Sequence, residues 1–181
     1  MTLDSLLNKS NNAKRKLANE IEKAWANEVI GGTGGQWTTA LCQDLVREAL
    51  NLLERKHVRK GTAMRSSVTS KQYAPDLECD DFVYEVKGRS WTMSGTAGEK
   101  ILGVPLKYGE IPTIYHKPLR IVLVGYQEHE ARHGFAFGDL LNPALQTAQL
   151  KETLQYFKDR DIEYVGFTDL LNELGLKYSA I

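Results

Sequence analysis

The feature that most constrains this chain is the run Leu119-Arg120-Ile121-Val122-Leu123-Val124-Gly125-Tyr126. Apolar side chains occupy successive positions rather than alternate ones, so a strand here has to be covered on both faces. Such a strand needs helices above and below it, and periodic segments that supply them lie on either side. Leu41, Leu45, Ala49, Leu52 and Leu53 recur at helical spacing and predict an amphipathic helix from Thr38 to about Arg55. Further helices are expected over 143–158 and 169–174, and strands over 72–77, 82–88, 135–138 and 163–167. Residues 98–110 read as a short helix interrupted by Pro105. The order gives an α/β fold with a mixed central sheet flanked by helices.

Upstream, Leu17, Ile21, Ala24 and Trp25 predict a helix over 13–28. Gly31-Gly32-Thr33-Gly34-Gly35 then breaks the chain without the GxGxxG or Gly-Lys-Ser/Thr spacing of a phosphate loop, so it reads as a hinge. The chain therefore divides into a helical extension with its hinge, 1–36, and one domain, 37–181. Two cysteines cannot build a disulfide framework, and Cys42 falls within the helical pattern as a core residue. No signal-peptide pattern and no apolar run of membrane-spanning length is present, so a cytoplasmic protein without a membrane partner is expected.

The segment Phe82-Val83-Tyr84-Glu85-Val86-Lys87 carries the chemistry. A strand period of two sets Glu85 and Lys87 on one face while Phe82, Tyr84 and Val86 turn into the core. Asp76, on the preceding extended segment, comes beside Glu85 if the two segments pair through a turn at Asp80-Asp81. Adjacent carboxylates repel unless a cation lies between them, and hard oxygen ligands that leave room for water suit Mg²⁺. An ion there would polarise a phosphoryl oxygen and activate water, with an ammonium at hand for developing charge, which points to phosphodiester hydrolysis.

Pro75-Asp76, eight residues, then Glu85-Val86-Lys87 closely resembles the signature of the PD-(D/E)xK nuclease superfamily, which includes most type II restriction endonucleases. The likeness spans roughly residues 37 to 127, with the helix before the motif and the loop, helix and apolar strand after it. It implies a restriction-endonuclease-like core in which Asp76 and Glu85 bind Mg²⁺ and Lys87 is the catalytic lysine. The backbone carbonyl of Val86 becomes a further metal ligand by the same likeness, and either Glu48 or Asp44 supplies an acid from the preceding helix.

A rival motif, His129-Glu130-Ala131-Arg132-His133, matches the HExxH of zinc peptidases. That chemistry needs both histidines on one face of a stable helix. Gly134 follows at once, and the polar run between two apolar segments reads as a connecting loop.

The net charge is zero, whereas nucleic-acid binders are usually basic. Distribution offsets this. Between Arg55 and Ala74 lie Arg55, Lys56, Arg59, Lys60, Arg65 and Lys71 with no acid, and Lys14, Arg15 and Lys16 form a second basic cluster. Candidate DNA contacts are Arg65, Lys71, Arg89 and Trp91 in the loop leaving the motif strand, and Lys100 and Lys107, seven apart on the next helix. The resulting expectation is a Mg²⁺-dependent endodeoxyribonuclease acting on double-stranded DNA as a homodimer, most like a small type II restriction endonuclease. The alternatives are a junction-resolvase-like nuclease, a non-catalytic DNA-binding subunit on the same fold and, last, a zinc peptidase.

Overall fold

The structure, a computed structural model, describes residues 37–89, 99–133 and 139–175. The expected helix over 13–28, the glycine hinge, the basic cluster Lys14-Arg15-Lys16, Trp91 and the strand expected over 135–138 lie outside these residues.

Helix α1 (Trp37–Leu52) is followed by four short strands: β1 (Arg59–Lys60), β2 (Met64–Arg65), β3 (Gln72–Tyr73) and β4 (Leu77–Glu78). Then come β5 (Val83–Arg89), a 3₁₀ turn (Glu99–Ile101), α2 (Val104–Lys107), α3 (Ile111–Tyr115) and β6 (Leu119–Gly125). The described chain ends with α4 (Tyr126–His133), α5 (Ala148–Lys158), β7 (Ile162–Gly166) and α6 (Phe167–Glu173). The main sheet has five strands in the order β1-β4-β5-β6-β7, and β2-β3 form a separate ribbon. Pairing is antiparallel from β1 through β5 and parallel from β5 through β7, so the central sheet is mixed, as expected.

The run that opened the sequence argument lies between β5 and β7, and its side chains alternate between two cores. Val122 and Val124 join Tyr84, Val86 and Leu77 under Val46, Leu50, Leu170 and Leu171 of α1 and α6. Leu119, Ile121 and Leu123 join Val83 beneath Ile101, Val104, Ile111 and Tyr115 on the other face. Each fully buried Leu, Ile or Val contributes roughly 1.5–3 kcal/mol, so both layers hold β6 in place.

Local details differ from the sequence expectation. The buried stripe of α1 runs through Leu41, Cys42, Val46, Ala49 and Leu50, and Leu52 is 58% exposed. A stripe on that face advances by three and four residues, which selects Leu50 and places Leu52 on the far side. Pro105 does not interrupt a helix: it stands in the first turn of α2, as Pro112 does in α3, where its missing N–H costs no hydrogen bond. Within the expected segment, residues 99–107 therefore form a 3₁₀ turn and a separate short helix, with a further helix from Ile111.

Residues 129–133, read from sequence as loop, lie within helix α4. Its support is tertiary. Buried Glu128 accepts Arg132 Nε at 2.9 Å and the Thr168 N–H at 3.2 Å, Arg132 reaches on to Asp169 at 2.7 Å, and Ala131 is fully buried. A short helix gains its stability from such packing and not from propensity.

Candidate active site

Strand β4 spans only Leu77–Glu78, while β5 runs on to Arg89. The N–H and C=O of a strand residue turn to the same edge, and successive residues alternate edges. Phe82 faces β4, its carbonyl accepting the Cys79 N–H at 2.9 Å, so Val86 faces the same edge at a level β4 does not reach. Asp76 fills that place: its Oδ2 accepts the Val86 N–H at 2.7 Å. Its other oxygen accepts Gln43 Nε2 of α1, also at 2.7 Å.

The pairing of Leu77 with Tyr84 and Glu78 with Val83 is the hairpin expected around Asp80-Asp81. One step beyond these pairs, Asp76 stands across from Glu85. Glu85 is only 3% exposed, more enclosed than a residue opening onto a cleft. Lys87 Nζ donates to Glu85 Oε1, and the Lys87 side chain is 30% exposed, so the site meets solvent at the lysine. Glu85 Oε2 is buried and has no donor at hydrogen-bond geometry.

Burial pushes the Glu85 carboxyl above the usual carboxylate range; Lys87 opposes the shift and the charge of Asp76 adds to it. Asp76 is raised as well, chiefly by burial, against the pull of the Val86 N–H, Lys87 and Gln43. The Tyr108 hydroxyl faces Glu85 without forming a well-aligned bond to Oε2, and burial and the Glu85 charge push this phenol up to about 12.

These residues fit a Mg²⁺ ion. Two carboxylates lie near enough for the charge of Asp76 to act on Glu85, which has a buried oxygen lacking a donor, and Mg²⁺ typically takes one or two carboxylates and keeps several waters. Strand alternation turns the Val86 carbonyl to the edge that Asp76 occupies. Among the described residues no group of three or more His, Cys, Asp or Glu side chains gathers as a metal site.

The helix α1 contributes differently from expectation. Asp44 pairs with Arg47 at 2.6 Å on the helix surface and Glu48 is exposed; Gln43 is the α1 side chain bonded to Asp76. An amide gives no sequence signal of this kind, because nothing in a single chain separates it from any other polar helix residue. Tyr108 was likewise missed, since its position depends on how α2 crosses the sheet.

Arg65 and Lys71 are exposed on the β2-β3 ribbon, and Arg89 ends β5. Lys100 and Lys107 are both exposed, but the first stands in the 3₁₀ turn and the second ends α2, so they do not share one helix face. Lys107 lies 4.7 Å from the centroid of the Tyr108 ring, and its charge draws down the Asp76 pKa. The rings of His129 and His133 stand 4.4 Å apart along α4, so these histidines do meet on a helix. Their helix supplies no third ligand among the described residues.

No protein-family model, curated protein or solved structure matches the chain.

Proposed function

We propose that this protein is a Mg²⁺-dependent endodeoxyribonuclease that hydrolyses phosphodiester bonds of double-stranded DNA. In this reading it is site-specific, homodimeric and built on a restriction-endonuclease-like core. The observation that carries the reading is the convergence of Asp76, Glu85 and Lys87, with a buried Glu85 oxygen left without a donor.

Asp76 and Glu85 would hold Mg²⁺ beside the Val86 carbonyl, and the ion when bound neutralises phosphoryl charge and makes water more acidic. Gln43 and the Val86 N–H tie down one oxygen each of Asp76, so its remaining lone pairs keep one orientation. Lys87 holds a positive charge at the solvent-facing end, where a phosphodiester enters, and stabilises charge developing on the scissile phosphate. Tyr108, with its phenol pushed up to about 12, stays protonated at neutral pH and is no base. Cutting both strands of a duplex with one small site calls for a two-fold dimer that matches the symmetry of DNA.

Incubation of supercoiled plasmid with the protein and Mg²⁺ should give discrete fragments, and none in EDTA. Cutting confined to four-way junctions would replace the restriction-enzyme reading with a resolvase. Binding without cutting would make the chain a DNA-binding subunit.

A further inference from the structure

The ribbon β2-β3 stands apart from the main sheet. An isolated pair of strands is marginal in water, and this one depends on the core at its root while its far end projects from it. Its root is fixed: the Tyr115 hydroxyl donates to the Thr62 carbonyl and lies 3.2 Å from that of Tyr73, whose ring is buried. Its tip is ordered by Ser66, whose Oγ accepts the N–H groups of Val68 at 3.1 Å and Thr69 at 2.9 Å. The Ser66 N–H in turn donates to the Lys71 carbonyl at 2.9 Å. This turn presents Val68, 85% exposed, at its end.

The segment that leads into and forms the ribbon carries charge of one sign. Residues 55–74 contain no acid. Arg55 is committed to Glu173 and Arg59 to Glu78, but Arg65 and Lys71 of the ribbon, and Lys60 at the end of β1 before it, are exposed and have no ion pair among the described residues. Lys71 stands 5.8 Å from the centroid of the Tyr73 ring, beside the root. From Tyr73 to Asp76 is three residues, so their Cα atoms lie within about 11 Å of one another.

From this placement we infer that the β2-β3 ribbon is a docking arm for duplex DNA, entering a groove beside the scissile phosphate. Arg65 and Lys71 of the arm, with Lys60 of β1 four residues before β2, meet backbone phosphates, and the Val68 tip is directed to base edges. The inference rests on the nuclease reading and names the substrate contact that it requires. A two-stranded ribbon fits the major groove, and an apolar tip suits the methyl group of thymine. Polyanion recognition supplies the affinity through displaced counterions.

The test is fluorescence anisotropy with the full chain and a labelled 30-base-pair duplex, in Ca²⁺ to prevent cutting, over a series of salt concentrations. The variant Lys60→Ala/Arg65→Ala/Lys71→Ala should bind roughly tenfold or more weakly near 0.1 M salt, with the slope of log Kd against log salt shallower by roughly 2–3. The control Lys151→Ala/Lys158→Ala/Arg160→Ala, on and just after α5, should keep the wild-type slope, and both variants should melt as wild type does. An unchanged slope and Kd in the ribbon variant, with plasmid still cut by wild type, overturns the arm and leaves the nuclease reading standing. Wild type that neither binds the duplex nor cuts plasmid overturns both. Equal affinity for a single strand or an RNA duplex overturns the assignment to duplex DNA.

Discussion

Asp76 accepts the backbone N–H of Val86 at 2.7 Å and thereby takes the place of a strand partner where β4 is absent. One carboxylate thus terminates the hairpin and, in the proposed site, is one of the two carboxylates. Structure and chemistry meet in the same hydrogen bond, so changes at this position should be read on both.

Replacing Gln43 by Ala removes the side-chain donor to Asp76 while leaving the Val86 N–H in place. The loss to stability should be about 1 kcal/mol, the net worth of one such bond. The cutting rate should fall by roughly tenfold, because a misplaced group loses much of its catalytic value. Chemical denaturation alongside a plasmid time course separates the two effects; an unchanged rate would remove Gln43 from the site.

Glu85→Gln should abolish cutting and stabilise the fold at neutral pH. Burial holds the folded-state pKa of Glu85 above its unfolded value. Its contribution is therefore fully present below the unfolded pKa and lost as pH rises through the folded one. At neutral pH the buried charge is a liability that the amide lacks. A gain of about 1 kcal/mol raises Tm by roughly 2–4 °C. Melting curves across pH check this: the gap between variant and wild type should widen from acid to neutral, and a constant gap would contradict the assignment.

Gly88 lets α1 approach β5. A Cβ at this position would stand 2.0 Å from Cys42 Sγ. Gly88→Ala should cost about 1–3 kcal/mol through overpacking. Adding Cys42→Ala removes the sulfur, and thermal melts should show part of that loss recovered; no recovery would mean the clash lies elsewhere.

The helix α4 depends on Glu128, which accepts from both Arg132 and Thr168. Glu128→Ala should cost about 1–3 kcal/mol, since Arg132 and Thr168 lose a buried charged acceptor while Arg132 keeps Asp169. His133→Ala, on an exposed position of the same helix, should leave cutting unchanged. Loss of DNA cleavage with His133→Ala would revive a metal role for the two histidines.

Glu85 and Lys87 were legible because a strand of period two, backed by Tyr84 and Val86, declares its faces. Strand β6 was legible because two covered faces leave no polar position except Arg120. Helix α4 was not: its stability comes from Glu128 and Arg132 meeting Thr168 and Asp169, which are distant in sequence and reach them only in the fold. The helix starting at Ile111 was hidden because Pro112 looks like a breaker and acts as a first-turn residue. Gln43 was hidden for a chemical reason: a metal site draws attention to acids, and this helix offers an amide that orients one.

The most direct test of the central claim is the plasmid-cleavage rate of wild type and Lys87→Ala, measured side by side in Mg²⁺ with both proteins folded. The account predicts cutting by wild type and a loss on the order of 10²–10³-fold in the variant, as expected when a donor aimed at developing charge is removed. Equal rates in the two proteins, or no cutting by wild type at any Mg²⁺ concentration, would contradict it.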